Sequence, residues 1–408
     1  MLLDFTFGNF GPFRDDVTLS MEATGGSEHR NNLIAGTEDI LSSAIVFGPN
    51  AAGKTFIVEA LWSLRNLVSR VDANRGPPNY NPFRLSKDTR ESPVRMRMRL
   101  LLDGVKYDYR VEYLRDSIVS ENLYHYPRGR RARVFERNGD VYTGGKKRII
   151  KSTSDSVTYL AMASVLSDPL CSKVRDAMVK DIIILPPELD VLIQDSCRFS
   201  SSDPERKDRA LKALDAADFG VSDFTFKERK IKSPEVKGAV PQDFSDRAND
   251  SLTNQDIFIK HGFTDDDYDE EGLTFPIELE SSGTQCMFGL ISPIIDAMES
   301  GKLVVMDELG AHLHPMLTHW IVSQFSSENN PNGAQLIANT HDISLMDTSE
   351  LLRRDQIWFV NKSRSKGVSV LYCLSDFDGV RKDTDVMKGY LLGRYDAVPL
   401  VLHRGVIE

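Results

Sequence analysis

Alternating and continuous apolar segments dominate the first seventy residues. FTFGNFGPF mixes aromatic residues with Gly and Pro, VTLSME alternates, and AIVF at residues 44–47 is a continuous apolar run, so all three predict short strands. After GPNAAGKT, apolar residues recur at helical spacing, and a Gly-Pro-Pro segment at 76–78 predicts the end of that helix. The apolar residues of the predicted helix are Ile57, Leu61, Leu64 and Val68.

The pattern changes in the middle of the chain. VRMRMRLLL alternates, and Asp103-Gly104 and Asn138-Gly139 each predict a hairpin. Residues 153–217 have a mostly helical pattern, with breaks predicted at Pro169 and at Pro186-Pro187. Residues 228–271 are polar and predict irregular structure, and they end in the acidic run DDDYDEE, which is typical of a solvated loop.

The apolar pattern returns at residue 275. LVVM at 303–306 and QLIAN at 335–339 predict strands, with helical stretches between them, and this alternation indicates a mostly parallel sheet. No internal repeat and no sustained heptad pattern occurs, which argues against a long coiled coil. These patterns divide the chain into four predicted parts: 1–76, 77–152, 153–271 and 272–408.

Composition narrows the class of protein. Of 408 residues, 41% are apolar and 27% charged, a balance that excludes a largely disordered or fibrous chain. The net charge of −10 excludes a surface that is basic throughout. Residues 128–151 nevertheless hold nine Lys or Arg and two acids. This basic stretch is expected to contact nucleic acid, to contact an acidic partner, or to be a solvated hairpin.

The cysteines and the apolar runs indicate the cellular compartment in which the protein is expected. The four cysteines lie far apart with no C-x-x-C, so neither a disulfide framework nor a zinc site is expected. The start of the chain lacks the apolar core of a signal peptide, and no run approaches the ~18 apolar residues of a membrane span. The expectation is a soluble, cytoplasmic protein.

GPNAAGKT carries the strongest chemical signal. Gly48, Gly53, Lys54 and Thr55 fit G-x-x-x-x-G-K-[ST], with a strand predicted before and a helix after. Backbone N–H groups of such a loop surround phosphate oxygens, the lysine reaches the terminal phosphates, and the threonine ligates Mg²⁺. The whole loop is therefore predicted to bind ATP: Gly48, Pro49, Asn50, Ala51, Ala52, Gly53, Lys54 and Thr55.

Two polar sites follow predicted strands in the second half. LVVMDE places Asp307 at a strand end, where it would hold Mg²⁺ through water, and Glu308 next to it would orient and deprotonate the attacking water. QLIANTHD places His341 after another strand, where it would donate to the γ-phosphate or position the water. The structural alternative for Asp307-Glu308 is a helix N-cap. The structural alternative for His341 is a packing role.

The segment ESSGTQ at 280–285 precedes an apolar helical pattern. Ser281 or Ser282 can cap this helix, and Gly283 lets a backbone approach an anion. The H-x-H pair, His312 and His314, has no third metal ligand nearby in the sequence, so packing, with Pro315 starting a helix, is the expectation.

The order of these motifs resembles the ABC-type ATPases. In that resemblance ESSGTQ is similar to the signature motif, and ELGAHLHP is similar to the D-loop region. It implies an α/β ABC-type P-loop core with a mostly parallel sheet, an antiparallel β subdomain and an inserted helical lid. Because each chain has one phosphate loop and one signature, it also implies a homodimer or larger even assembly, with Ser281, Ser282 and Gly283 on the partner's nucleotide.

Further segments resemble RloA-type ATPases, the stand-alone bacterial ABC-type ATPases of anti-phage defence loci: NPFRL, AADFGVSDF, ESSGT, RRDQIWFV and GYLLGRYDAVP. The resemblance implies a sensor or scaffold subunit that controls a separate nuclease or toxin. There are departures: no Gln precedes Gln194, so the Q-loop glutamine is missing, Gly310 stands where relatives carry an acid, and Asp396 where they carry Gly.

Three other functions compete with this one. A DNA repair or chromosome-structure ATPase is the alternative, although such relatives insert a long coiled coil that this chain lacks. A transporter motor would need a Q-loop glutamine to contact its membrane subunits, and this chain lacks that glutamine. A fused Toprim-like nuclease would use the pair Asp376 and Asp378, but only 67 residues follow His341, so a solvated turn is the better prediction for that pair.

Overall fold

The computed structural model describes residues 1–36, 39–72, 76–77, 79–230, 253–262, 274–381 and 384–399. The chain forms two compact units. The first comprises Met1–Leu185, Ala297–Ala311 and Thr318–Glu408, and the second comprises Pro186–Asp296 and His312–Leu317. In the described residues, no helix has both the length and the apolar content that crossing a membrane requires.

The described strands, in chain order, are β1 (Leu2–Gly8), β2 (Val17–Ser20), β3 (Ser43–Phe47), β4 (Val94–Leu102), β5 (Val105–Tyr113), β6 (Ile118–His125), β7 (Ala132–Asn138), β8 (Val141–Gly144), β9 (Ile182–Ile184), β10 (Val221–Lys230), β11 (Thr253–His261), β12 (Thr274–Pro276), β13 (Leu303–Met306), β14 (Gln335–Asn339), β15 (Ile357–Lys362) and β16 (Ser369–Cys373). The described α-helices are α1 (Lys54–Ser69), α2 (Lys147–Ser152), α3 (Tyr159–Val165), α4 (Pro169–Val179), α5 (Leu189–Ser201), α6 (Pro204–Ala216), α7 (Ser282–Ser300), α8 (Pro315–Gln324) and α9 (Val386–Leu391).

A six-stranded sheet forms the centre of the first unit. Its order is β16-β15-β3-β14-β13-β9, with every pair parallel except β15 with β16. The strands β3, β13 and β14 are fully buried apolar runs, as expected for a parallel sheet covered on both faces. Their carboxyl ends lie at one edge, so the residues that follow β3, β13 and β14 are brought together there.

A seven-stranded antiparallel sheet, ordered β2-β1-β4-β5-β6-β7-β8, forms the rest of the strand structure of this unit. Alternation sets its two faces: Phe5, Phe7 and Met98 are buried in the apolar core. On β4 the other face carries Arg95, Arg97 and Arg99, each of which pairs with a carboxylate.

The second unit combines helices with the three-stranded antiparallel sheet β10-β11-β12. Helix α5 contacts α7 closely: a Cβ on Gly289 would lie 3.0 Å from the Cβ of Leu192. At the same contact the buried hydroxyl of Ser196 donates to the carbonyl oxygen of Phe288 at 2.6 Å. This bond joins α5 to α7 close to Pro293, which has no N–H to give to the helical ladder of α7.

The α/β class, the mostly parallel sheet and the antiparallel β subdomain are confirmed, as are both predicted hairpins and the strands at 44–47, 303–306 and 335–339. Two predictions were wrong. Ile182–Ile184 is a strand of the parallel sheet rather than part of a helical region, and Thr253–His261 is a strand rather than irregular. In both cases pairing with distant segments decides the structure.

The predicted helix ends are confirmed in one case and corrected in another. The break at Pro169 is confirmed, because α3 ends at Val165 and α4 begins at Pro169, a first helical position where proline has no N–H to lose. Helix α1 ends at Ser69, before the Gly-Pro-Pro segment. The acidic run at 265–271 lies outside the described residues. The boundaries at 76, 152 and 271 stay predictions.

Candidate functional site

The loop between β3 and α1 has the conformation that its glycines predict. The φ of Gly48 is 154°, and an added Cβ would lie 2.3 Å from the carbonyl oxygen of Val360 on β15, so no larger residue fits. Ser369 Oγ donates to the carbonyl oxygen of Ala52 at 2.5 Å. The loop is therefore held against the two neighbouring strands, with Asn50 and Ala51 exposed.

Lys54 is the first residue of α1, and its side chain turns back over the loop. Its Nζ donates to the carbonyl oxygens of Gly48 at 2.8 Å and Pro49 at 3.3 Å. The residue is buried, and this burial lowers the pKa of Lys54, while the carboxylates of Asp307 and Glu308 act in the opposite direction. A poorly solvated ammonium at a helix N-terminus favours an anion beside it.

Asp307 stands directly after β13, beside the start of α1. Thr55 Oγ1 donates to Asp307 Oδ1 at 3.3 Å, and the amide Nδ2 of Asn339 also donates to that oxygen. A hydroxyl and a carboxylate are the oxygen ligands that Mg²⁺ takes from proteins. The donor set therefore fits a hard divalent cation between Thr55 and Asp307.

Glu308 has an unusual backbone. Its φ is +55°, in the left-handed region that residues with a side chain seldom adopt. Its N–H donates to Asn339 Oδ1 at 2.8 Å, and its carbonyl oxygen accepts from the N–H of Ala311 at 3.1 Å. These bonds hold the turn after β13, and they leave the carboxylate of Glu308 exposed in the cleft.

Most of the predicted residues of the first unit line one open cleft of about 610 Å³, a size typical of small-molecule sites; Gly48, Pro49, Ala52 and Asp307 are not part of its lining. Its lining includes Asn50, Ala51, Gly53, Lys54, Thr55, Glu308 and His341, all predicted from the sequence. The pKa of His341 is lowered, first by desolvation and then by the ammonium of Lys54. A neutral imidazole at this position can either donate or accept a hydrogen bond.

Three lining residues were missed: Phe56, Asn339 and Lys362. The signal for Asn339 was available, because it is the polar last residue of QLIAN and such strand ends face the ligand edge of a parallel sheet. No local pattern distinguishes Lys362, which reaches the cleft because β15 pairs with β3.

The segment that resembles the signature lies in the second unit. Ser281 caps α7, accepting from the N–H of Thr284 at 3.1 Å, which confirms the predicted cap. Ser282 is the exposed first residue of the helix. A Cβ at Gly283 would lie 3.2 Å from the carbonyl oxygen of His312, so the H-x-H segment passes close to the start of α7.

In each of the two side-chain pairs considered as metal ligands, one member has a structural role. His314 Nδ1 accepts from the N–H of Met316 at 3.2 Å, and α8 begins at Pro315 as predicted. Asp376 Oδ2 accepts from the N–H of Cys373 at 2.9 Å within a turn. Over the described part of the chain, no group of three or more His, Cys, Asp or Glu side chains is arranged to hold a metal ion.

Two solved structures are similar to this chain over most of its length. One similar solved structure is an Smc head bound to the C-winged helix domain of ScpA, with 16% identity, 91% of this chain and 97% of that chain covered, and a TM-score of 0.47. Another is an Smc head with an extended coiled coil bound to the C-terminal domain of ScpA derived from Pyrococcus furiosus, with 13% identity, 91% and 96% coverage, and a TM-score of 0.42.

Among curated proteins, none matches this chain significantly. A family model, in contrast, matches residues 43–159 and 177–347, well over half of the chain and including the phosphate loop, the ESSGTQ segment, Asp307, Glu308 and His341. The chain therefore belongs to the P-loop ATPase family described as "AAA domain, putative AbiEii toxin, Type IV TA system".

Proposed function

We propose that this protein binds and hydrolyses ATP with Mg²⁺. The observation that carries the proposal is the convergence of Lys54, Thr55, Glu308 and His341 on one cleft, with Asp307 bonded to Thr55. These side chains follow β3, β13 and β14, three strands whose carboxyl ends share one edge of the sheet. Chance placement of a phosphate loop, an acid pair and a histidine would not produce this convergence.

Each side chain has a distinct task in this proposal. Backbone N–H groups of residues 48–55 and the ammonium of Lys54 bind the phosphates. Glu308 orients water and takes its proton, and His341 donates to the γ-phosphate or holds the water. Thr55 and Asp307 would hold Mg²⁺, which neutralises charge that develops on the phosphate oxygens when it is bound.

We infer further that the active unit is a homodimer or a larger even assembly with composite sites. Ser281, Ser282 and Gly283 would contact nucleotide held by another copy. In support, two large apolar side chains close to these segments in the sequence are exposed, Leu279 at 74% and Met316 at 75%. Large apolar side chains in water beside a polar segment are typical of an interaction surface.

We infer a cytoplasmic location. There the ATPase would act as the sensor or scaffold subunit of an anti-phage defence system of the RloA type, controlling a separate nuclease or toxin. The family description, which names a toxin and a TA system, is consistent with a two-component arrangement. The alternative is a DNA repair or chromosome-structure ATPase acting on DNA directly. A nuclease-like or toxin-like reading frame beside this gene would support the first role, and its absence would favour the alternative.

The roles of Lys54 and Glu308 are tested by a pair of variants. Lys54→Ala should abolish ATP binding, because it removes the cation from the phosphate loop. Glu308→Gln should retain ATP and Mg²⁺ binding and lower turnover by about 10²- to 10⁴-fold, because it removes the base and spares the metal ligand. Equilibrium binding of labelled ATP and phosphate release measure the two steps separately.

Glu328→Gln, a change to an exposed acid outside the cleft, serves as the matched control and should behave like the wild type. Turnover by Glu308→Gln at the wild-type rate would show that another group is the base.

A further inference from the structure

We propose that eight exposed cations at one end of the β7–β8 hairpin form a docking surface for the phosphate backbone of duplex DNA. This basic cluster comprises Arg128, Arg130, Arg131, Arg133, Lys146, Lys147, Arg148 and Lys151. The inference goes beyond ATP hydrolysis and does not depend on it, because none of these residues lines the nucleotide cleft.

Strand register brings the two halves of the cluster together. β7 and β8 pair antiparallel from Asn138 with Val141 to Phe135 with Gly144, and the N–H of Gly145 donates to the carbonyl oxygen of Val134 at 3.2 Å. The chain thus returns to the end of β7 at which Arg128–Arg133 enter it. Asp140 is the one charged residue of the intervening tip at 138–144, so the positive charge is concentrated at the opposite end.

Arg137, the ninth cation of this stretch, is excluded from the cluster. It is buried, and its guanidinium donates to the carbonyl oxygens of Gly139 at 3.0 Å and Val157 at 2.7 Å. Its role is to fasten the hairpin to the segment before α3. The local charge count from the sequence therefore overstated the accessible positive charge by one residue.

The eight remaining cations divide into anchored and unpaired groups. Arg131 lies over the ring of Tyr124, 3.7 Å from its centroid, Arg133 pairs with Glu136 at 3.2 Å, and Lys146 pairs with Asp168 at 2.8 Å. The other five have no side-chain partner among the residues that the structure describes: Arg128, Arg130, Lys147, Arg148 and Lys151. Three fixed charges beside five free ones suit a ligand that carries many anionic groups.

The aromatic residues of this region point to backbone rather than base recognition. Phe135 is buried, Tyr142 packs 5.9 Å from the ring of Tyr159, and Tyr124 is covered by Arg131. Residues 128–151, all of which the structure describes, thus offer no fully exposed ring on which an unpaired base could stack. Among nucleic acids, this favours the phosphates of a duplex over an unpaired strand.

Charge balance favours a polyanion over a single acidic group. The whole chain carries a net charge of −10, which repels anions at long range. A duplex offsets this repulsion because each phosphate that is neutralised releases condensed counterions, a gain that an ordinary acidic protein surface does not provide.

The test measures the affinity of the full-length protein for a labelled DNA duplex across a salt series, with and without ATP and Mg²⁺. The wild type should bind, with log K falling by roughly 0.9 per log unit of salt for each phosphate contacted. Changing Arg128, Arg130, Lys147, Arg148 and Lys151 to Gln should weaken binding at low salt and flatten the slope by about 4.5 if all five contact phosphates.

A control variant removes the same number of exposed cations elsewhere: Lys87, Arg115, Arg381, Lys388 and Arg394 to Gln. It should keep the wild-type slope, and thermal denaturation should show that both variants fold. The proposal is overturned if the wild type does not bind the duplex, if both variants lose affinity equally, or if a polyglutamate peptide competes as well as DNA does. The last outcome would identify an acidic protein as the partner.

Discussion

At the scale of single residues, the backbone of Glu308 shows how the site holds a strained geometry. A non-glycine residue at positive φ costs about 1–3 kcal/mol and persists where surrounding bonds determine it. Asn339 provides such bonds, because its amide accepts from the N–H of Glu308 and donates to the carboxylate of Asp307. One side chain thus fixes the proposed base and the proposed metal ligand together.

We therefore expect Asn339→Ala to lower kcat for ATP by about 10- to 100-fold, as loss of such a positioning residue commonly does, with KM changed much less. Steady-state phosphate release at several ATP concentrations separates the two parameters. Asn122→Ala, on β6 and away from the cleft, is the matched control. An unchanged kcat would mean that Asn339 does not position Glu308.

Two residues that depart from the ABC-type pattern are explained by backbone geometry. Asp396 stands where relatives carry Gly, and its φ of 54° is the left-handed conformation that glycine favours and aspartate tolerates. Gly310 stands where relatives carry an acid, yet its φ is +89°, and a Cβ would lie 2.8 Å from Thr318 Oγ1. An acid cannot be accommodated at 310 without a local change in the chain.

At the scale of elements, the helices and strands with a long hydrophobic repeat are the ones that the sequence predicts best. The alternating strands β4 and β5 and the helix α1 each repeat over nine or more residues, so periodicity alone identifies them. β9 has three residues, and only its parallel pairing with β13 makes it a strand. Tertiary pairing of this kind leaves no periodic signal in a short segment.

One buried carboxylate in the seven-stranded sheet makes the stability of the folded protein depend on pH. Asp108 on β5 is fully buried and accepts hydrogen bonds from Arg97 at 2.8 Å and Arg110 at 2.7 Å. Burial alone would raise its pKa, but the two guanidinium groups outweigh that effect and lower the pKa of Asp108 to about 2. The ionised form is therefore more stable in the folded protein than in the unfolded chain.

Asp108→Asn should consequently lower the free energy of unfolding by about 2 kcal/mol at pH 7, because each unit of pKa shift corresponds to about 1.4 kcal/mol. A lowered pKa contributes stability that is fully present above the ordinary pKa of aspartate, and this stability is lost as the pH falls from about 4 toward 2. Urea denaturation at a series of pH values should show the gap to the wild type closing over that range.

The comparison variant is Asp15→Asn, because Asp15 pairs with Arg14 on the surface and should contribute little. A gap for Asp108→Asn that stays constant from pH 7 to pH 3 would assign the loss to packing rather than to charge.

At the scale of the whole molecule, the proposed nucleotide chemistry is divided between the two compact units. The phosphate loop, Asp307, Glu308 and His341 belong to the first unit, and Ser281–Gly283 belong to the second. More than two hundred residues separate the phosphate loop from Ser281–Gly283 in the sequence. That these groups act together is predicted only by the resemblance to ABC-type ATPases. Whether one copy completes the site of another is a question for mixed assemblies.

The last prediction uses two variants, each of which inactivates a different side of the proposed composite site. Lys54→Ala destroys the phosphate loop of its own chain, and Ser281→Arg blocks the segment that would reach the nucleotide of another chain. In a two-fold dimer that exchanges subunits, equal amounts of the two inactive variants should restore roughly a quarter of wild-type activity, since about half of the dimers are mixed and each has one intact composite site.

Mixing Lys54→Ala with Glu308→Gln is the control and should restore nothing, because both substitutions lie on the phosphate-loop side of a site. Affinity tags on each variant establish that mixed dimers form. If those dimers form and the first mixture stays inactive, or if the second mixture recovers, the composite site is wrong and Ser281 serves only as the cap of α7 that its bond to Thr284 already makes it.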